Sequence, residues 1–122
     1  MNPKELMIGD WVTFVNGKGE RIADSQIDIN SLYTAINAPN ILQFQPIPLT
    51  AEILEKSGFI KYNDHRVLYV HINEYNGYAL RLNTDDYGWH LTDNRFVRFD
   101  SVHELQHLLR FLNLPIEIGL KP

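Results

Sequence analysis

The first long apolar run is LMIGDWVTFV at residues 6–15, rich in β-branched and aromatic side chains and followed at once by NGKG at 16–19. Asn-Gly suits the left-handed positions of a tight hairpin, so residues 20–23 are expected to return antiparallel to that run. Shorter apolar groups follow at Ile27 and Ile29, at Leu32, Tyr33 and Ile36, and at Ile41, Leu42 and Phe44. They suggest further strands, although residues 31–36 could also form a helical turn. This pattern predicts a small twisted β unit of the SH3-like barrel type over residues 1–46.

Pro46-Ile47-Pro48 stops the run, because proline supplies no backbone donor and biases the preceding residue away from helix. A short helix with complete punctuation is then expected: Thr50 as N-cap, Glu52 in the positive first turn and Gly58 at the left-handed C′ position. Leu49 and Leu54 fall where a hydrophobic staple needs them, and Leu54 and Phe59 where a Schellman ending does. From residue 59 to 99 the pattern returns to strand, with runs at 67–72, 78–82, 89–91 and 95–99. Turn residues at 76–77, 85–88 and 93–94 break these runs, so an antiparallel meander is the simplest arrangement. A last helix begins near Ser101 and ends before Pro115. The fold expected is α+β: residues 1–46 as a small barrel-like part, then residues 47–122 as helix, meander and helix, the two melting as one cooperative unit.

Composition narrows the classes. The chain has 122 residues of which 44% are hydrophobic, enough for one domain with a buried core. No run approaches the roughly 18 apolar residues of a membrane span, and MNPKE at the start leads into no signal-peptide core, so a cytoplasmic protein without membrane contact is expected. With no cysteine, disulfides, thiol catalysis and thiolate metal sites are excluded together. The formal charge is −4; residues 1–50 hold 3 basic and 5 acidic side chains, and residues 51–122 hold 8 and 10. Neither part has the basic excess usual in nucleic-acid binders, although Arg81, Arg95 and Arg98 could form a local patch if neighbouring strands bring them together.

The sharpest motif is His103-Glu104-Leu105-Gln106-His107, a match to H-E-x-x-H, in which two histidines one turn apart chelate zinc and the glutamate serves as general base. A catalytic zinc needs a third protein ligand. The extended form of the motif places glycine where this chain has Arg110 and histidine where it has Asn113. A glutamate from a following helix fares no better: 15 residues remain after His107, Pro115 interrupts them, and Glu117 is their only acid. His65, His71 and His90 have no spacing that points toward this helix. A structural reading accounts for the same residues, because Ser101-Val102-His103-Glu104 is an S-x-x-E capping box. At about 100° per residue, Val102, Leu105, Leu108, Leu109 and Leu112 share one face, with His103, Gln106, His107 and Arg110 largely opposite. Glu104 is thus only a remote catalytic candidate, His103 and His107 remote metal ligands, and no cofactor is expected.

No G-x-S-x-G elbow, P-loop, dinucleotide fingerprint or EF-hand loop is present. Asp85-Asp86 beside Gly88 reads as turn chemistry. Tyr69, Tyr75, Tyr78, Tyr87 and Trp89 read as half-buried sheet residues before they read as a base-stacking platform, and Trp11 as barrel core.

Three stretches, ELMIGDWV, PIPLTAEILEKSGF and VHELQHLLRFLN, together resemble a family of small uncharacterised proteins of anaerobic gut bacteria and their prophages. They occur in the same order and cover both ends and the centre of the chain, while residues 31–40 depart from the family's strand pattern. The family carries no assigned reaction. The resemblance implies that the last helix is a general V-H-x-L-Q-x-L element, matched by Val102, His103, Leu105, Gln106 and Leu108, with Glu104 and His107 at variable places. The function expected is therefore a non-enzymatic module for protein interaction or self-association, in phage or mobile-element biology as the resemblance implies. Nucleic-acid binding is the alternative and zinc hydrolysis the remote one.

Overall fold

The computed structural model describes residues 1–63, 67–72, 79–85, 88–92, 94–114, 116–118 and 120. The chain divides into two compact units, one of Met1–Pro48 with Ser101–His103 and one of Leu49–Asp100 with Glu104–Pro122.

In the first unit a 3-10 turn at Pro3–Glu5 precedes β1 (Trp11–Asn16), β2 (Arg21–Gln26), α1 (Ile29–Asn37) and β3 (Leu42–Pro46). The strand order is β2-β1-β3, antiparallel throughout. The hairpin between β1 and β2 forms as the Asn-Gly signal predicts. Asn16 Oδ1 accepts from the amides of Lys18 and Glu20, both at 2.9 Å, and Gly17 sits where an added Cβ would meet the Asn40 carbonyl oxygen. Phe14 pairs with Ala23 but Val15 pairs with Arg21, so Ile22 is an extra residue, a bulge. The bulge turns Arg21 and Asp24 to the same face, where they pair at 3.2 Å and Thr13 Oγ1 donates to Asp24 at 2.6 Å.

Two sequence expectations are corrected here. The strand begins at Trp11 and not at Leu6, because residues 7–10 close a turn in which Met7 N–H donates to Asp10 Oδ2 at 2.8 Å and Asp10 N–H to Met7 C=O at 3.1 Å. More consequentially, the unit is an open three-stranded sheet and not a closed barrel. The segment that would have supplied the further strand is α1, nucleated by a capping box. Asp28 Oδ1 accepts from Ser31 N–H at 2.7 Å and Ser31 Oγ accepts from Asp28 N–H at 3.0 Å. The core gathers Leu6, Val12, Ile27, Ala35, Leu42 and Phe44, with Phe14 and Leu32 against it and the Phe14 and Phe44 rings 5.1 Å apart. Near the end of the unit Val102 N–H donates to Ile47 C=O at 2.9 Å and Pro48 bridges to Ser101.

The second unit holds α2 (Ala51–Lys56), then β4 (Ile60–Asn63), β5 (Val67–Ile72), β6 (Ala79–Asp85), β7 (Gly88–Leu91) and β8 (Asn94–Phe99). The five strands form an antiparallel meander in sequence order; β5 to β8 fall at the four runs that the alternation and breaks predict, and β4 adds an edge strand that the pattern did not single out. All the punctuation expected of α2 is present. Thr50 Oγ1 accepts from Ile53 N–H at 3.3 Å, and Gly58 takes a φ of 93°. The Schellman bonds run from Gly58 N–H to Glu55 C=O at 3.2 Å and from Phe59 N–H to Leu54 C=O at 3.0 Å. Leu54, Phe59, Leu80, Leu82 and Phe99 are buried. So are Tyr69 and Trp89, whose rings meet edge to face at 5.8 Å. Their polar tips are satisfied: Trp89 Nε1 donates to Leu49 C=O at 3.0 Å, and Tyr69 OH donates to Glu55 at 3.3 Å. Burial, and then the Glu55 charge, push the Tyr69 pKa above its ordinary value and keep it a donor.

The last helix, α3 (Val102–Phe111), starts with residues of the first unit and continues in the second. No helix among the described residues is long and apolar enough to cross a membrane.

Candidate functional site

The two histidines of the HELQH match stand on α3, whose Val102, Leu105 and Leu109 are buried while His103, Gln106 and His107 are half-buried and Glu104 and Arg110 exposed. The apolar face is where the heptad-like spacing puts it. His103 Nδ1 lies 3.0 Å from the buried Ser101 Oγ. Glu104 Oε1 accepts the Asp100 N–H at 3.3 Å, so the carboxylate reaches back over the helix start, one residue beyond the amide a capping box would use. At the other end Asn113 takes a φ of 55° and its N–H donates to Arg110 C=O at 3.0 Å, while Leu114 N–H donates to Leu109 C=O at 2.9 Å. That is a Schellman ending with asparagine at C′. The residue an extended zinc motif would have as its third ligand is the one that ends the helix.

Of the other histidines, His65 lies outside the described residues and His71 is placed on β5. His90 on β7 is 4% exposed, with Nδ1 at 2.8 Å from Leu91 C=O and Nε2 at 3.7 Å from Asp85. A carbonyl oxygen can only accept, so Nδ1 carries the proton in this arrangement. Among the described residues no three His, Asp or Glu side chains converge as a bound metal would require.

The arginine patch is partly dispersed by cross-strand pairing. Arg81 is exposed on β6. Arg98 on β8 grips Asp85 through two bonds, at 2.9 and 2.8 Å, so its charge is matched within the sheet. Arg95 occupies β8, and its side chain lies outside the described residues.

The unclaimed surface lies elsewhere, on α1. Leu32 packs against the core and Ala35 is part of it, whereas Ile29, Tyr33 and Ile36 stand 70%, 69% and 39% exposed. Spaced four and then three residues apart, these three fall within about 60° of one another on the helix surface, a continuous apolar stripe. Met7, Ile8 and Ile41 of the same unit are also exposed, as are Phe96 on β8 and Phe111 at the end of α3. Beside the stripe's helix, the C-terminal part of α1, the N-terminal 3-10 turn and β3 surround a cleft of about 270 Å³. The spacing of Leu32, Tyr33 and Ile36 suggests a strand or a helical turn over residues 31–36, and the structure forms a helix over Ile29–Asn37. The signal for the helix was Asp28-x-x-Ser31 ahead of residues spaced by three and four. Comparison of the chain with protein families, with curated proteins and with solved structures yields no match.

Proposed function

We propose that the protein is a non-enzymatic interaction module that engages a protein surface, its own copy or a partner, through the outer face of α1. The observation that carries this reading is the exposure of Ile29, Tyr33 and Ile36 on one helical stripe. Keeping large apolar side chains in water is unfavourable by roughly 25 cal/mol per Å² relative to covering them. An amphipathic helix presenting such anchors is a recurrent recognition element. Three side chains fall well short of the roughly 800 Å² per partner of a standard interface, so the association is weak and reversible unless flanking residues such as Met7, Ile8 or Ile41 join it.

The competing readings draw less support. Among the described residues zinc hydrolysis lacks a third ligand, and Asn113 has its own task in ending α3. Nucleic-acid binding is weakened by the Arg98–Asp85 pairing and by the formal charge of −4. The resemblance to proteins of gut bacteria and their prophages supports a mobile-element setting without naming a partner. The test is sedimentation velocity across a concentration series, with Tyr33→Glu as comparison. The unmodified chain is expected to show association that Tyr33→Glu abolishes at unchanged melting temperature. A strict monomer that also fails to retain any host protein in pull-down would overturn the reading.

A further inference from the structure

The outer face of α1 is arranged symmetrically about its middle residue. Ile29 lies four residues before Tyr33 and Ile36 three after it, and all three side chains are exposed. At the rise of an α-helix the two isoleucines stand about 6 Å and about 4.5 Å from the tyrosine along the axis, on opposite sides of it. A second α1 running antiparallel, related to the first by a twofold axis through Tyr33, therefore brings its Ile36 to within about 1.5 Å of the height of the first helix's Ile29. Tyrosine meets tyrosine at the centre. A surface that packs on its own copy by a twofold axis must have this reversibility.

Its chemistry is reversible as well. Residues 29–51 include no Asp, Glu, Lys, Arg or His, in a chain of which 21% is charged. The Thr34 hydroxyl donates to Asn30 C=O and the Asn37 amide to Tyr33 C=O, both at 2.9 Å, and Ser31 serves the cap, so these polar side chains are turned onto the helix's own backbone. What α1 offers outward is aliphatic surface, the Tyr33 phenol and the Asn30 carboxamide, and the last two each donate and accept. Every such group is its own complement, whereas a partner recognised through charge would find no counterpart on this helix. Charge also favours this place for self-contact. Two copies of formal charge −4 repel, and the repulsion is least where neither brings a charge to the contact. Asp28, the charge next to the stripe, falls beside Ala38 of an antiparallel second copy and not beside another Asp28.

We infer that the outer face of α1 is a self-association surface, on which a second copy of this chain packs antiparallel about a twofold axis through Tyr33. The inference rests on the reading of α1 as the interaction face and names its occupant. A helix of 9 residues is only about 13 Å long, so the contact is small and the dimer forms reversibly as concentration rises.

The test places charges at the centre of the contact. In a twofold dimer, full-length Tyr33→Glu and Tyr33→Lys each set two like charges face to face. Each variant alone is expected to sediment as a monomer, with a melting temperature close to the parent's because Tyr33 is exposed. Mixed in equal amounts they set glutamate against lysine, and the mixture is expected to associate about tenfold or more strongly than either variant alone. With one variant ¹⁵N-labelled, amide signals of residues 29–37 are expected to shift when the other is added. A parent that stays monomeric up to millimolar concentration overturns the inference. So does a parent that associates while the mixture does not, because Tyr33 then does not face its own copy. Single variants that associate as the parent does also overturn it. Any of these failures leaves the function proposed above standing where the parent retains a host protein in pull-down and Tyr33→Glu loses it. A parent that neither associates nor retains a partner overturns both.

Discussion

Asn113 stands at φ 55°, a backbone state that asparagine tolerates and β-branched residues do not. Asn113→Gly is therefore expected to hold stability within about 1 kcal/mol of the parent, and Asn113→Val to lower it by about 1–3 kcal/mol in urea titrations. Equal stability of the two variants would show that the helix ending is not held by this residue. Glu104 separates the two readings of HELQH in a second way. Its Oε1 accepts the Asp100 N–H, and glutamine supplies the same acceptor atom, so Glu104→Gln is expected to shift the melting midpoint little. A zinc hydrolase would instead lose its general base and its activity. The sequence disclosed that the motif was incomplete, since Arg110 and Asn113 stand where glycine and histidine were required. It could not disclose that Arg98 is matched by Asp85, a contact across 13 residues of chain that exists only because β6 and β8 flank β7.

At the scale of elements the contrast between α2 and α1 is instructive. For α2 every signal lies within a few residues of the bond it predicts, from Thr50 to Ile53 and from Phe59 back to Leu54, so the helix was legible in full. For α1 the apolar residues Leu32, Tyr33 and Ile36 fit either a strand or a helix. The capping box together with the packing of Leu32 and Ala35 onto the core decided for helix. That cap makes α1 sensitive to acid. The Ser31 N–H bonded to the Asp28 carboxylate, chiefly, holds its pKa below the ordinary 3.8. A carboxylate whose folded pKa is depressed contributes stability that is full above its unfolded value and is lost as pH falls through the folded one. The melting temperature is therefore expected to fall more steeply below pH 3.8 in the parent than in Asp28→Asn, whose cap does not titrate. Parallel curves for the two proteins would remove Asp28 as the cause. The β2 bulge left no mark in the sequence, because Ile22 reads as an ordinary alternating residue until its partner strand sets the register.

For the whole molecule, size argues for cooperativity. The first unit has about fifty residues, a length at which burial on folding leaves little margin, and its own ladder includes the Ser101 and Val102 backbone at the start of α3. Differential scanning calorimetry is expected to give one transition with equal calorimetric and van't Hoff enthalpies; two well-separated transitions would mean independently stable units. The sequence by itself determined the α+β class, the hairpin at Asn16-Gly17, the punctuation of α2, the four strand runs between residues 67 and 99 and the apolar face of α3. Each of these rests on bonds or periodicity within a few residues, where propensity and patterning act directly. Only the tertiary structure decided that the first sheet stays open, that Ile29, Tyr33 and Ile36 face outward while Leu32 and Ala35 face in, and that a cleft forms beside β3. Those outcomes depend on which of two acceptable local structures buries more when distant segments meet, and that free energy is a property of contacts the linear order does not contain.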